Sequence, residues 1–143
     1  MEIFVDTNIF LRVLVGDCGE ELFSNCRGVL EKVKLKKYAG YTSSLVLAEI
    51  NWTLRSYYGL SREETAEAMS GIINLKNLRI LDDFDAEYAL ELYRSHGAKF
   101  IDCMISSIRG IRTGGITVVS YDRDFDKLGV KRVEPAEFPA GSE

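Results

Sequence analysis

The sequence holds little of what many enzyme classes need: 143 residues include one histidine, three cysteines and two prolines. His96 alone cannot build a two-histidine ribonuclease or an HExxH metalloprotease, and it argues against a structural zinc site. Cys18, Cys26 and Cys103 contain no C-x-x-C pair, and an odd count does not make a disulfide framework. Two of the three lie in apolar stretches, as free thiols of a reducing compartment do. No G-x-S-x-G elbow, G-x-x-x-x-G-K-[ST] loop or G-x-G-x-x-G fingerprint occurs. No apolar run approaches the ~18 residues of a membrane span. Met1 to Asp6 lack the basic start and long apolar stretch of a signal peptide. The expectation is a cytoplasmic protein with no membrane contact. Basic charge is also short: 18 Lys and Arg against 22 Asp and Glu leave a net charge of −4. Nucleic-acid binding would therefore need a local patch.

What is present is enough for one ordinary domain. Hydrophobic residues make up 46% and charged residues 28%, which supports a core without disulfide or metal staples. Twelve glycines and two prolines are too few for low-complexity disorder. Short apolar runs alternate with helical periodicity. Strands are expected at 3–5, 38–41, 78–81, 116–121 and 130–133. Helices are expected at 7–15, 20–37, from a cap among Thr42, Ser43 and Ser44 to 58, and then at 61–75, 85–96, 100–111 and 122–128. Ser61 and Glu64 have the spacing of a capping box. Such alternation predicts an α/β fold, a three-layer α/β/α sandwich around a mainly parallel sheet. Residues 1–134 would form the domain and 135–143 a C-terminal tail, of which 138–143 reads as loose.

Four carboxylates sit where charge is expensive. Asp6 follows Ile3-Phe4-Val5, and Asp122 follows the 116–121 strand. Both therefore project from carboxyl ends of strands, where open parallel sheets bind ligands. Glu49 shares a helix face with Leu45, Ala48 and Trp52, which reads as a core-facing stripe. Asp102 lies on the apolar face that carries Ile105 and Ser106. A carboxylate on such a face is protonated, paired with a cation, or bound to metal. The nearest cations along the chain are Arg55, Arg109 and Arg112. Oxygen-only clusters suit Mg²⁺ or Mn²⁺, and two divalent ions would neutralise four carboxylates. Other charged features have plainer readings. Lys32, Lys34, Lys36 and Lys37 form a solvated helix end, Asp82 to Asp85 a loop and cap, and His96 a helix C-terminus. Trp52, Tyr57 and Tyr58 read as core or dimer contacts.

Four motifs in order carry a resemblance: Phe4-Val5-Asp6-Thr7-Asn8, Ser43-Ser44-Leu45-Val46-Leu47-Ala48-Glu49, Phe100-Ile101-Asp102, and Ser120-Tyr121-Asp122-Arg123-Asp124-Phe125. Together they are similar to the PIN-domain nucleases, in particular the VapC-type ribonucleases of toxin–antitoxin pairs. The resemblance implies a Mg²⁺- or Mn²⁺-dependent endoribonuclease that needs neither histidine nor a covalent intermediate. It implies Asp6, Asp102 and Asp122 as metal ligands, and Glu49 as the acid that holds the attacking water or a second ion. Thr7, Asn8 and Ser120 would orient those carboxylates, with Asp124 as a cap or outer partner and Asp126 as a surface charge. RNA as substrate, a cognate antitoxin protein and a homodimer follow from the same resemblance. Three other readings stay open on the residues. They are a housekeeping RNA-processing nuclease, a phosphoryl-transfer domain with Asp6 as nucleophile, and a scaffold that binds RNA or protein without catalysis. The second expects an acid where Asn8 stands.

Overall fold

The computed structural model describes residues 1–138. Five parallel strands, β1 (Glu2–Val5), β2 (Ala39–Thr42), β3 (Leu78–Ile80), β4 (Ile116–Val119) and β5 (Arg132–Val133), form one sheet in the order β3-β2-β1-β4-β5. β1 is central, and Ile3, Phe4 and Val5 are wholly buried, as a strand covered on both faces requires. Of helices α1 (Thr7–Val15), α2 (Glu20–Lys34), α3 (Ser44–Ser56) and α4 (Arg62–Ile73), α1 packs on both α2 and α3, and α3 packs on α4. Helices α5 (Ala86–Ser95), α6 (Phe100–Ser106), α7 (Arg109–Arg112) and α8 (Asp124–Lys127) form a second group. Right-handed crossovers put the two groups on opposite faces, giving the three expected layers. The chain steps outward one way from β1 to β2 and β3, then returns to β4 and β5. The strand order therefore reverses between β1 and β4, and that switch point is where such sheets open a crevice.

Local chemistry sets most element ends. Gly16, at φ 73°, closes α1 by donating its N–H to the Arg12 carbonyl at 3.0 Å. Ser43 caps α3, and Ser61 with Glu64 forms the capping box of α4. At Gly40 a Cβ would lie 2.5 Å from the Val33 methyls, so glycine lets α2 sit directly on β2.

Two expectations need correction. α2 ends at Lys34, not 37, because Lys36 takes φ 60°. The Lys37 amide then reaches back to the Lys32 carbonyl at 2.8 Å, and the Lys36 amide to Val33 at 3.0 Å. That is a helix-ending Schellman turn with lysine where glycine is usual. The single helix expected at 100–111 is two, α6 and α7. Ile108 adopts extended backbone (ψ 128°), while Ser107 Oγ donates to the Met104 carbonyl at 2.6 Å and accepts the Asp85 amide at 3.0 Å. Ile105, Ile108 and Ile111 are all buried, so the apolar period runs on through a break made by a serine. At the C-terminal end, Pro135–Glu137 forms a 3-10 turn and Phe138 lies 5.1 Å, ring to ring, from Tyr38. Residues 139–143 of the expected tail lie outside the described residues.

Candidate active site

Asp6 leaves the end of β1 at the N-cap of α1, yet its carboxylate does not cap that helix. Its Oδ2 accepts the Ser120 hydroxyl at 2.6 Å and the Asn8 amide at 3.4 Å. Asn8 also donates to Ser120 Oγ at 3.0 Å and accepts the Tyr121 N–H at 3.2 Å. Ser120 Oγ in turn accepts the Asp122 N–H at 2.9 Å. This turn ends β4 after Val119, earlier than 121, and aims Asp122 back over the switch point. On the adjoining helix the Thr7 hydroxyl donates to the Glu49 carboxylate.

Asp102 comes from α6, on the opposite face of the sheet. It is 3% exposed, and its Oδ2 is buried without a hydrogen-bond partner. Lys99, one turn earlier, places its ammonium 3.7 Å from that oxygen and donates to Asp122 Oδ2. Asp124 accepts the Lys99 N–H at 3.2 Å and gives its own N–H to Asp122 Oδ1 at 3.0 Å. Carboxylate oxygens of Asp102, Asp122 and Asp124 lie within 4.8 Å of one another. Asp6, Glu49, Asp102 and Asp122 line one open cleft of about 180 Å³ together with Thr7, Asn8 and Lys99.

The electrostatics follow from this layout. Burial pushes Asp102 up to about 8, and the neighbouring Asp122 carboxyl and the charge of Asp6 add to the push. Burial also raises Asp6, to about 6; Glu49 and Asp122 add to it and the Ser120 bond opposes it. Burial works against the charge of Asp122 too, but the Lys99 ammonium and the Asp124 amide outweigh it and hold Asp122 below the usual carboxylate range. Lys99 is raised above its ordinary value: its burial opposes charge, and Asp122 and Asp102 more than offset that.

All four predicted acids meet in one cleft, and Thr7, Asn8 and Ser120 each touch one of them. Three details differ from expectation. Glu49 is not on the core side of α3: the core stripe is Val46, Ile50 and Leu54, while Trp52 is 66% exposed. Tyr57 is likewise exposed, so neither aromatic is a core residue. The cation beside the acids is Lys99, whereas Arg55 bonds the Leu60 carbonyl, Arg112 pairs with Asp85, and Arg109 lines a different hollow. The signal for Lys99 was its i, i+3 spacing from Asp102. Asp124 stands inside the cluster, while Asp126 is paired with Arg132 at 2.9 Å.

A five-stranded parallel α/β sandwich with carboxylates gathered at its switch point defines the class of protein: a domain whose acidic cluster has the oxygen donors that suit a hard cation. Residues 3–131 match the PIN domain family, and the chain belongs to that family. It is 31% identical over 134 residues to a VapC ribonuclease of Aquifex aeolicus (strain VF5), covering 93% of this chain and 96% of that protein. Its fold is similar to Mycobacterium tuberculosis VapC20, a sarcin-ricin loop cleaving toxin, with TM-score 0.65 and 22% identity over 93% of this chain and 99% of that one. It is similar also to Rickettsia felis VapBC2, bound to a DNA fragment from its promoter. There the TM-score is 0.66 at 15% identity, covering 94% and 98% of the two chains.

Proposed function

We propose that this protein is a divalent-metal-dependent endoribonuclease, the toxin of a toxin–antitoxin pair, which hydrolyses RNA phosphodiesters at the Asp6–Glu49–Asp102–Asp122 cleft. Its PIN domain and its resemblance to VapC ribonucleases support the reaction class. One observation of geometry carries the site: four acids from distant segments converge, and the most buried one keeps an oxygen without a partner. A buried carboxylate with an unbonded oxygen, clustered with two more carboxylates, fits a hard cation, because oxygen-only donors suit Mg²⁺ or Mn²⁺.

In this reading Asp6, Asp102 and Asp122 hold the metal and Asp124 steadies Asp122. When bound, a divalent ion there supplies Lewis acidity for the scissile phosphate and for water. Thr7 fixes Glu49, leaving its second oxygen to accept a proton from the attacking water. Ser120 and Asn8 hold Asp6 in place, so ligand geometry is set before any ion arrives. Lys99 neutralises part of the cluster and keeps Asp122 ionised. The exposed Trp52, Tyr57 and Tyr93 are suited to cover by a second copy in a homodimer or by an antitoxin chain. A cytoplasmic location is proposed from the similarity to the VapC ribonuclease; among the described residues no helix is long and apolar enough to cross a membrane.

The test is cleavage of total cellular RNA, mapped at new 5′ ends. Fragments should appear with Mg²⁺ or Mn²⁺ and vanish with chelator, and Asp102→Asn or Asp122→Asn should slow cleavage roughly hundredfold or more. Intact RNA in the presence of metal-loaded wild type would remove the ribonuclease reading.

A further inference from the structure

Arg12 stands in the last turn of α1, one helical turn beyond Asn8. A cation there complements the helix dipole, but its surroundings go further. The guanidinium lies 4.4 Å from the centre of the Tyr121 ring, and Tyr121 is itself held by a 3.7 Å contact between its hydroxyl and Cys26 Sγ. Stacking occupies the guanidinium face and leaves its in-plane N–H donors for a ligand. Nε is buried without a hydrogen-bond partner. Among the described residues, no carboxylate forms a salt bridge with Arg12. Arg12, Asp17, Cys18 and Tyr58 line a hollow of about 180 Å³ whose remaining wall is Asn8 and Leu11. Asn8 and Leu11 also line the acid cleft, so the two hollows adjoin.

We infer that this second hollow is a phosphate subsite, in which Arg12 takes a backbone phosphate of the RNA strand next to the one at the acid cluster. The inference rests on RNA as the proposed substrate and adds the residue that binds it. A cleft of four acids repels a polyanion, and Lys99 is already committed to Asp102 and Asp122. Arg12 is the cation on the other wall with no acid paired to it. Four residues of helix separate it from Asn8, a rise of about 6 Å, on the scale of neighbouring phosphates along one strand. A guanidinium donates two parallel hydrogen bonds to phosphate. Asp17 opposes binding in the same hollow, and this gives the assignment a second handle.

The experiment measures affinity for a fluorescein-labelled single-stranded RNA of mixed sequence, by anisotropy over a salt series in Mg²⁺. An Asp6→Asn background keeps the strand intact. Arg12→Gln should weaken binding about tenfold and lower the salt slope by about one, whereas Arg12→Lys should keep the slope. Asp17→Asn should tighten binding and carries the test alone if Arg12→Gln fails to fold. A folded Arg12→Gln with unchanged affinity and slope, or an Asp17→Asn that binds no tighter, would overturn the subsite. Failure of the Asp6→Asn parent itself to bind RNA would instead overturn the RNA reading, and the subsite with it.

Discussion

Asp6 and Asp102 are buried to nearly the same degree, 4% and 3% exposed, and face the same cleft. Their surroundings differ. Asp6 accepts bonds from Ser120 and Asn8, two side chains fixed at the switch point of the sheet. Asp102 sits on a short helix with an oxygen that nothing donates to and a lysine just beyond hydrogen-bonding range. Burial raises both, but only to about 6 for the bonded one against about 8 for the orphan. The sheet side of the cleft is thus complete by itself, whereas the α6 side keeps an oxygen that no donor reaches. A protein selected for stability alone would gain by replacing the orphan acid; in the proposed reading a bound cation offsets that cost.

The comparison breaks first at Asp102. Metal-free wild type holds Asp102 in a place that disfavours its charge, so Asp102→Asn should stabilise the apo protein by on the order of 2–4 kcal/mol at pH 7.5. At roughly 2–4 °C per kcal/mol for this size, the melting temperature should rise by about 4–16 °C. Saturating Mn²⁺, at ~100-fold over Kd, should add about 2.7 kcal/mol to wild type and little to the variant. Thermal unfolding with and without Mn²⁺ reads both effects. Destabilisation by Asp102→Asn together with no Mn²⁺ response would make Asp102 a structural ion-pair partner.

The next effect is on pH. Asp6 and Asp102 bind protons more tightly folded than unfolded, so the folded state holds more protons between about pH 4 and 8. Apo stability therefore falls as pH rises through that window, the Asp6 share ending near 6 and the Asp102 share near 8. Metal displaces those protons, so the Mn²⁺-induced shift should grow from pH 6 to 8. Melting temperatures across pH, in chelator and in Mn²⁺, should diverge. Parallel curves would mean that these carboxyls do not meet the ion.

The sequence displayed the acids more clearly than the scaffold details. The end of β1 announces Asp6, because an acid straight after a buried apolar run has nowhere else to point; Asp122 stands one turn beyond the end of β4 and is aimed by that turn. Asp102 was legible for the same reason on a helix face. Glu49 was identified by its position, but the face assigned to it was wrong. Leu45 and Trp52 are as apolar as Val46 and Ile50, so periodicity alone could not say which side is covered. The end of α2 was hidden because Lys36 does what glycine usually does, and the break between α6 and α7 because isoleucines continue across it. Lys99 escapes notice because a lone lysine before a helix reads as surface until the fold brings the turn after β4 and α8 beside α6.

On the Asp6 side, Ser120→Ala tests whether the sheet is the organiser. Ser120 is fully buried and serves Asp6, Asn8 and the Asp122 amide at once. Its loss should cost about 1–3 kcal/mol, through buried groups left unsatisfied. It should also move the onset of Mn²⁺ binding to higher pH, since the bond that holds Asp6 down is gone. A stability loss with an unchanged pH onset would show that Ser120 supports the fold without tuning Asp6.

The smallest effect is expected at Lys99, and it separates two roles for the α6 side. Its ammonium is largely exposed, 60% by side chain, so its ion pairs contribute little to stability, and Lys99→Gln should lower the apo melting temperature by no more than about 2 °C. If the lysine is a resident counter-ion, removing its charge leaves the cluster more negative, and Mn²⁺ should bind several-fold tighter by titration calorimetry at pH 7.5. Lys99→Arg, which keeps the charge, should restore wild-type affinity. If Lys99 instead positions Asp122 for the metal, Lys99→Gln should bind Mn²⁺ more weakly, because Asp122 loses the partner that holds it ionised and in place. The direction of that change decides whether the orphan oxygen of Asp102 faces a competitor for the ion or part of the apparatus that receives it.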